Sequence, residues 1–274
     1  MFKAILAATI LLASQYVYSD EAAVPFKATY KLSHKKDEVG KAVRQLEYLE
    51  DGNVRYSNKL DSKWFFFSDH RNEESILTLS ENLVSPIHYT YSRTGTGKDK
   101  KYEWYYDTEN HKAIDVKNKK ITELEFPENF QDKLSYHLQL SLDLMTKPLQ
   151  KEYSYAVIGS SGKISDTRYE VVGEEMLNVP YGAVETIKVK REVAEKKRVT
   201  FAWFAPKLNY ALVKLTQFKK GKEDFDVKLS AIEFSSKKEN KAKDSSSKSD
   251  NNLIKKRIEE KMSLEESTTK EDNG

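Results

Sequence analysis

Apolar and polar residues alternate along most of this chain, and a period of two is the signature of strands. In Phe26-Lys27-Ala28-Thr29-Tyr30-Lys31-Leu32 every second side chain is apolar or aromatic. Successive strand residues point to opposite faces, so such a segment has one dry face and one wet face. Val43–Leu49 is its expected hairpin partner across the polar stretch His34–Gly40, Asp51-Gly52 marks a tight turn, and Asn53–Leu60 follows as a third strand. Ile87, Tyr89 and Tyr91 share a face; Gly95-Thr96-Gly97 turns the chain; Tyr102, Trp104 and Tyr106 return on alternate positions. Ala113–Val116 and Lys120–Leu124 form another expected hairpin. Five more strand segments are expected, around Tyr153–Val157, Arg168–Val172, Val184–Arg191, Arg198–Phe204 and Ala211–Phe218, before the last at Phe225–Phe234.

The period changes once. Between Asn129 and Met145, Phe130, Leu134, Leu138 and Leu142 recur every four residues, and Leu140, Leu144 and Met145 widen the stripe. This spacing predicts an amphipathic helix over about 129–146. Asn129 is the expected N-cap, Asp132 suits the helix dipole, and Pro148 ends the element. The fold expected is therefore mainly β: one antiparallel curved sheet or open β-barrel of about ten or more strands, with a single packed helix.

Before the first strand lie Met1-Phe2-Lys3, an unbroken apolar run Ala4–Ala13, and Val17-Tyr18-Ser19 ahead of Asp20-Glu21. That layout predicts a secretory signal peptide over 1–19, and the apolar run is too short for a transmembrane anchor. The expected organisation is the leader, an exported β-rich domain over 20–234, and a tail over 235–274. Ser235–Asn252 is almost free of apolar residues and is expected to be disordered. Residues 253–266 have helical spacing and predict a short isolated helix. The expected location is the periplasm, with secretion as the alternative. The chain contains no cysteine, which removes disulfides, thiolate chemistry and lipid attachment through a cysteine. Net charge is +3 on 46 basic and 43 acidic residues, a balance that argues against nucleic acid as a partner.

Motifs for chemistry are sparse. The chain has no G-x-S-x-G, H-E-x-x-H, P-loop or G-x-G-x-x-G string. His34, His70, His88, His111 and His137 lie at no ligand spacing, so no metal and no cofactor is predicted. Ser160-Ser161-Gly162-Lys163 holds an S-x-x-K inside a polar turn. Asp224 and Asp226 share a strand face and are the only basis for a hydrolase reading, the least favoured one. Trp64-Phe65-Phe66-Phe67 is more informative, because four consecutive aromatics cannot all face one side of a strand. Either both sides are covered or one pair is exposed as a contact surface. Trp64, Phe66, Tyr89, Tyr91, Tyr102 and Trp104 are the candidate lining of an apolar concavity; their alternative role is to be the core itself.

Several strings in order carry a resemblance: Phe26-x-Ala28-x-Tyr30, Ser85-Pro86-x-x-Tyr89-x-Tyr91, Gln131-Asp132-x-Leu134-Ser135, Val172-Gly173-x-Glu175-x-Leu177 with Val179-Pro180-Tyr181-Gly182, Lys188-Val189-Lys190-Arg191, and Trp203-Phe204-Ala205-Pro206 before Tyr210. Over about residues 26–234 the chain resembles the bacterial exported family called domain of unknown function 3108. The resemblance implies a β-rich domain exported into the envelope of a Gram-negative-type bacterium. It implies no activity, so no catalytic residue is carried over. Gly182 matches the family's turn glycine and Trp203 its tryptophan. Their expected roles, like those of Leu134 and Pro206, are structural. Ala211-Leu212 departs from a position where relatives often carry proline, and the tail lies outside the resemblance. The leading expectation is non-catalytic binding of a lipid or other hydrophobic envelope molecule. The alternative is a structural or assembly factor acting on an envelope protein partner.

Overall fold

The structure, a computed structural model, describes residues 23–35, 37–235, 256, 258 and 260. The expected leader and most of the tail lie outside the described residues. Fifteen strands form one sheet. Eight come first: β1 (Phe26–His34), β2 (Asp37–Tyr48), β3 (Val54–Trp64), β4 (Phe67–Ser80), β5 (Leu83–Gly95), β6 (Lys100–Asp107), β7 (Lys112–Asp115) and β8 (Lys120–Glu123). A two-residue strand β9 (Phe130–Gln131) and the helix α1 (Ser135–Thr146) follow. The rest are β10 (Glu152–Ile158), β11 (Ile164–Val179), β12 (Gly182–Val193), β13 (Arg198–Ala205), β14 (Ala211–Lys219) and β15 (Lys222–Phe234).

The topology is a meander folded back on itself. Neighbours in sequence are neighbours in the sheet except β8 and β9, which hold its two edges, and β15 returns to pair with β1 in the middle. All pairs are antiparallel except β9 with β10. One wing runs from β1 out to β8 and the other from β15 out to β9. Each alternating segment buries its apolar parity inward, so Ala28, Tyr30 and Leu32 on β1 are all buried.

The helix α1 packs into one end of the concave face. Its stripe Tyr136, Leu140 and Leu144 joins a core with Tyr30, Tyr153, Phe204 and Leu229. Its other stripe, Leu134, Leu138 and Leu142, joins a second core with Leu46, Tyr56, Tyr89 and Trp104. Each fully buried Leu contributes roughly 1.5–3 kcal/mol. At the far edges the wings meet: a Cβ on Gly162, in the β10–β11 turn, would lie 2.7 Å from the Trp104 ring of β6. Only glycine, here at φ +76°, lets that turn close over the indole.

The helix begins later than the stripe suggests. Asn129 is not its cap, and residues 130–131 pair with β10 instead. Asp132 takes over: its Oδ1 accepts from the Leu134 and Ser135 amides (2.8 and 2.7 Å), while its own amide donates to Ser135 Oγ (2.9 Å). This is a reciprocal capping box built from Asp132-x-x-Ser135. It starts an irregular turn that leads into the helix at Ser135.

The tail holds a second difference. Lys256, Ile258 and Glu260 are helical, but the helix is not isolated. Ile258 is buried against Tyr105 and Val116 on the convex face, beside Ile87 and Ile114. Those outward positions form an apolar patch where a wet face was expected.

Replacing Leu134 by Asp places an unpaired charge between helix and sheet and is expected to cost at least about 3 kcal/mol, read by urea denaturation. In a chain with no other cysteine, Val116→Cys combined with Ile258→Cys is expected to cross-link under mild oxidation. A reduced, monomeric double variant would show that the tail does not sit on the sheet.

Candidate functional site

The strands outrun the helix. α1 packs at the end of the concavity where the chain enters β1 and leaves β15. Beyond Lys133, the other end of the concave face has no helix over it. There Leu32 of β1, Val39 of β2, Leu60 and Trp64 of β3 and Phe225 of β15 form an apolar wall, and Arg71 of β4 and Arg93 of β5 continue the lining beside Leu60. The resulting cup has a volume of about 290 Å³, close to the lower end of the roughly 300–1,000 Å³ typical of small-molecule pockets.

Its charged side is organised around Asp69. Arg71 donates two guanidinium nitrogens to the Asp69 carboxylate (3.1 and 2.5 Å), and Arg93 Nε donates from the next strand (3.0 Å). Burial pushes the Asp69 carboxyl up, but the two arginines outweigh it and hold the group below the usual carboxylate range. Two guanidinium groups against one carboxylate leave the cup with a net positive charge. Deeper along β4, Glu73 is raised by burial, which the Tyr89 hydroxyl (2.5 Å) and Lys133 only partly oppose.

The six aromatic candidates separate. Trp64 lines the cup, its ring edge-on to His34 at 4.8 Å, and His34 Nδ1 donates to the Asp224 carbonyl (2.6 Å). Tyr91 and Tyr102 are half-buried on the concave face and stack at 5.7 Å, with Lys133 Nζ 5.6 Å from the Tyr91 ring. Tyr89 and Trp104 are buried in the core with the helix. Phe66 is not part of the cup lining. It sits at the tip of the β3–β4 turn, 94% exposed, between Phe65 at 72% and Phe67 at 58%. Phe65 holds φ +52°, a left-handed conformation that costs a residue with a Cβ about 1–2 kcal/mol.

The four structural positions also divide. Leu134 is buried beneath the helix start, Gly182 opens β12 at φ +137°, and Pro206 begins a 3-10 turn. Trp203 is buried but does not belong to the interior core. Ala202 and Phe204 take the inward parity, so Trp203 faces outward under Lys188 and Lys214, whose ammonium groups lie 4.9 and 4.7 Å from its ring. Its indole N–H donates to Glu175. The acidic pair is likewise committed elsewhere: Asp226 accepts from Thr216 Oγ1 (2.5 Å) and pairs with Lys228 (3.0 Å), and Asp224 accepts from Gln217 (2.9 Å).

Arg71, Arg93 and Asp69 were not among the sequence candidates. The signal was present in register: Arg71 pairs with Leu60, and Arg93 pairs with Arg71, so both share the inward parity of Tyr91. A second, smaller cavity of about 90 Å³ lies at the helix's less buried stripe, beside His137, Ser141 and the buried Arg44. It is too small for an acyl chain. Among the described residues no cluster of His, Asp or Glu could hold a metal ion, and no helix is long and apolar enough to cross a membrane.

These features define a barrel-like β protein with its concavity half filled by one helix. The chain belongs to the family described as "Protein of unknown function (DUF3108)", which matches residues 29–228. Among solved structures it is similar to a beta-barrel-like protein of domain of unknown function DUF1849 from Brucella abortus, at 10% identity and a TM-score of 0.53. That match covers 77% of this chain and 98% of the other, and it shows the fold alone. More distant likenesses are a protein with a YmcC-like fold from Bacteroides fragilis (12% identity, TM-score 0.31, 76% of this chain and 95% of the other) and a chain of the Pseudomonas aeruginosa MucA/MucB complex (8%, 0.30, 77% and 52%). A comparison with curated protein sequences finds no match.

Removing the Asp69 carboxylate should loosen the charged side of the cup. Asp69→Asn is expected to lower thermal stability by a few degrees near pH 7, because a carboxylate with a depressed pKa contributes stability above its unfolded value of about 4. That difference should vanish as the pH falls through the depressed pKa. A gap between variant and wild type that persists at low pH would contradict this account.

Proposed function

We propose that this protein works outside the cytoplasm as a non-catalytic binder of an amphipathic anion, taking an apolar chain segment along the Leu60–Trp64 wall and an acidic head against Arg71 and Arg93. One observation carries the reading: an apolar wall and an arginine pair line the same open cup of about 290 Å³. Charge-assisted bonds from a guanidinium are the stronger kind and suit carboxylate or phosphate oxygens. The cup's size favours one chain segment over a whole lipid. The sequence of residues 1–19 supports the location.

A second reading has its own support. The helix fills so much of the concavity that the enclosed space beside it is only about 90 Å³. Close packing around the helix suits a structural or assembly factor of the envelope that works through protein contacts.

The experiment is a titration with a medium-chain fatty acid, read by the fluorescence of Trp64 against a Trp64→Phe control, together with native mass spectrometry of the protein recovered from the exporting cell. Saturable quenching that Arg93→Gln weakens about tenfold, the loss of one charged hydrogen bond, is the expected result. Asp69→Asn, which removes the internal competitor for both arginines, should tighten binding. No Trp64 response, with an empty protein bound to a reproducible protein partner, would transfer the case to the second reading.

A further inference from the structure

We propose that the open end of the sheet docks on an anionic lipid bilayer, with Phe65 and Phe66 entering the interface. The first observation is the tip itself. Three consecutive phenylalanines stand in solvent at one hairpin turn, 72%, 94% and 58% exposed. A two-residue hairpin turn is best served by Asn-Gly or similar pairs, because a positive φ costs them little. This turn instead carries a benzyl side chain at φ +52°. Nine other non-glycine residues among those described also hold a positive φ, and the Phe65 ring rests edge-on against Trp64 at 5.0 Å, so the telling residue is Phe66, whose ring at 94% exposure gains little burial from the fold.

The second observation is independent of the first and concerns charge. A net charge of +3 conceals a sorting along the strand axis. In a meander, alternate turns lie at opposite ends of the sheet. Among the described residues, the turns at the phenylalanine end, at Lys35 and over residues 96–99, 116–119, 159–163, 194–197 and 220–221, expose Lys35, Lys98, Lys117, Lys196, Lys197 and Lys220, among other lysines, against only two acidic residues, Asp99 and Glu195. The hairpin turns at the other end, 49–53, 81–82, 108–111, 180–181 and 206–210, expose Glu50, Asp51, Glu81 and Glu109 against Lys207.

Together they select the occupant. The lysines are spread over the turns of both wings, so they match a plane of negative charge better than a single anionic group. The phenylalanines sit on a protruding turn, which suits a soft apolar layer beneath such a plane. A bilayer rich in anionic lipid offers both: a surface potential that draws lysines, and an interface where aromatic rings are stable. The cup opens at this same end.

The test is co-sedimentation of the protein, as recovered from the exporting cell, with phosphatidylcholine vesicles that contain or lack about one third phosphatidylglycerol. The wild type is expected to pellet with the anionic vesicles and to be released on the order of 0.5 M salt, where charges are screened within a few ångströms. Phe65→Gly with Phe66→Asn is expected to weaken binding at least tenfold while melting no lower than the wild type, since glycine suits the positive φ at the first turn position. A purely structural role for the rings would instead lower the melting temperature. Lys196→Glu, Lys197→Glu and Lys220→Glu together should abolish the preference for anionic vesicles. Leu60→Ser, which breaks the apolar wall of the cup without removing a charge or touching a turn, should weaken fatty-acid binding and leave vesicle binding unchanged, so the two readings fail separately. A wild type that stays in the supernatant, or binding indifferent to the phenylalanine or lysine changes, would overturn the proposal. So would self-association that depends on Phe66, which would assign the tip to a second copy of the chain.

Discussion

A sheet of fifteen strands has two faces, and ordering so long a backbone is offset only if one face is kept from water. Curving the sheet gathers that face into a trough, but a trough this wide cannot fill itself with strand side chains. One helix meets the need. Two of its stripes are wholly apolar and serve opposite wings, Tyr136, Leu140 and Leu144 on one side and Leu134, Leu138 and Leu142 on the other. A conventional surface helix with one greasy stripe would leave one wing's core open. The two wings depend on the same twelve-residue element.

Polar side chains fix where that element sits. β6 pairs only with His88–Arg93 of β5, which leaves the backbone of Val84 unpaired along that edge. Gln139 Oε1 accepts from the Val84 amide and Gln131 Nε2 donates to its carbonyl, both at 2.7 Å. Asp132 closes the turn that leads into the helix and also accepts from the buried Ser75 hydroxyl on β4. Asp143 receives the Tyr155 hydroxyl from the far wing (2.9 Å). Hydrophobic contacts alone would allow the helix to slide along the trough. These buried hydrogen bonds penalise every other register, since each broken one leaves a group without water. The position they set is the reason half of the concavity remains open and can serve as a cup.

The fold was largely legible in the sequence because it rests on periods. Phe26–Leu32, Tyr102–Tyr106 and Phe225–Phe234 alternate as strands and are strands. The change of period at Leu134–Leu142 located the helix. Its start was misjudged because the hydrophobic stripe extends back to Phe130, which is buried through β9 instead of a helical turn; the Asp132-x-x-Ser135 box was the better signal. The site was less legible. Composition marks aromatic residues as candidates, but Tyr89, Tyr91, Tyr102 and Trp104 have the same parity, and only distance from the helix decides which are core. Arg71 and Arg93 looked like ordinary strand charges until register placed them side by side facing inward. The charge sorting between the two ends is invisible to a residue count, because it lives in which turns alternate.

The pairing of β1 with β15 also bears on how the chain comes together. Ser230 donates to the carbonyl of Thr29 across 201 residues of sequence, and Ser235 closes on Pro25 at the same corner. The first strand to be made therefore waits for the last before its second edge is covered. Contacts of such long range slow folding and keep an unpaired edge available to strangers in the meantime. A nascent or newly released copy is thus at its most vulnerable to aggregation along β1, and whatever shields that edge governs how much of the protein survives to maturity.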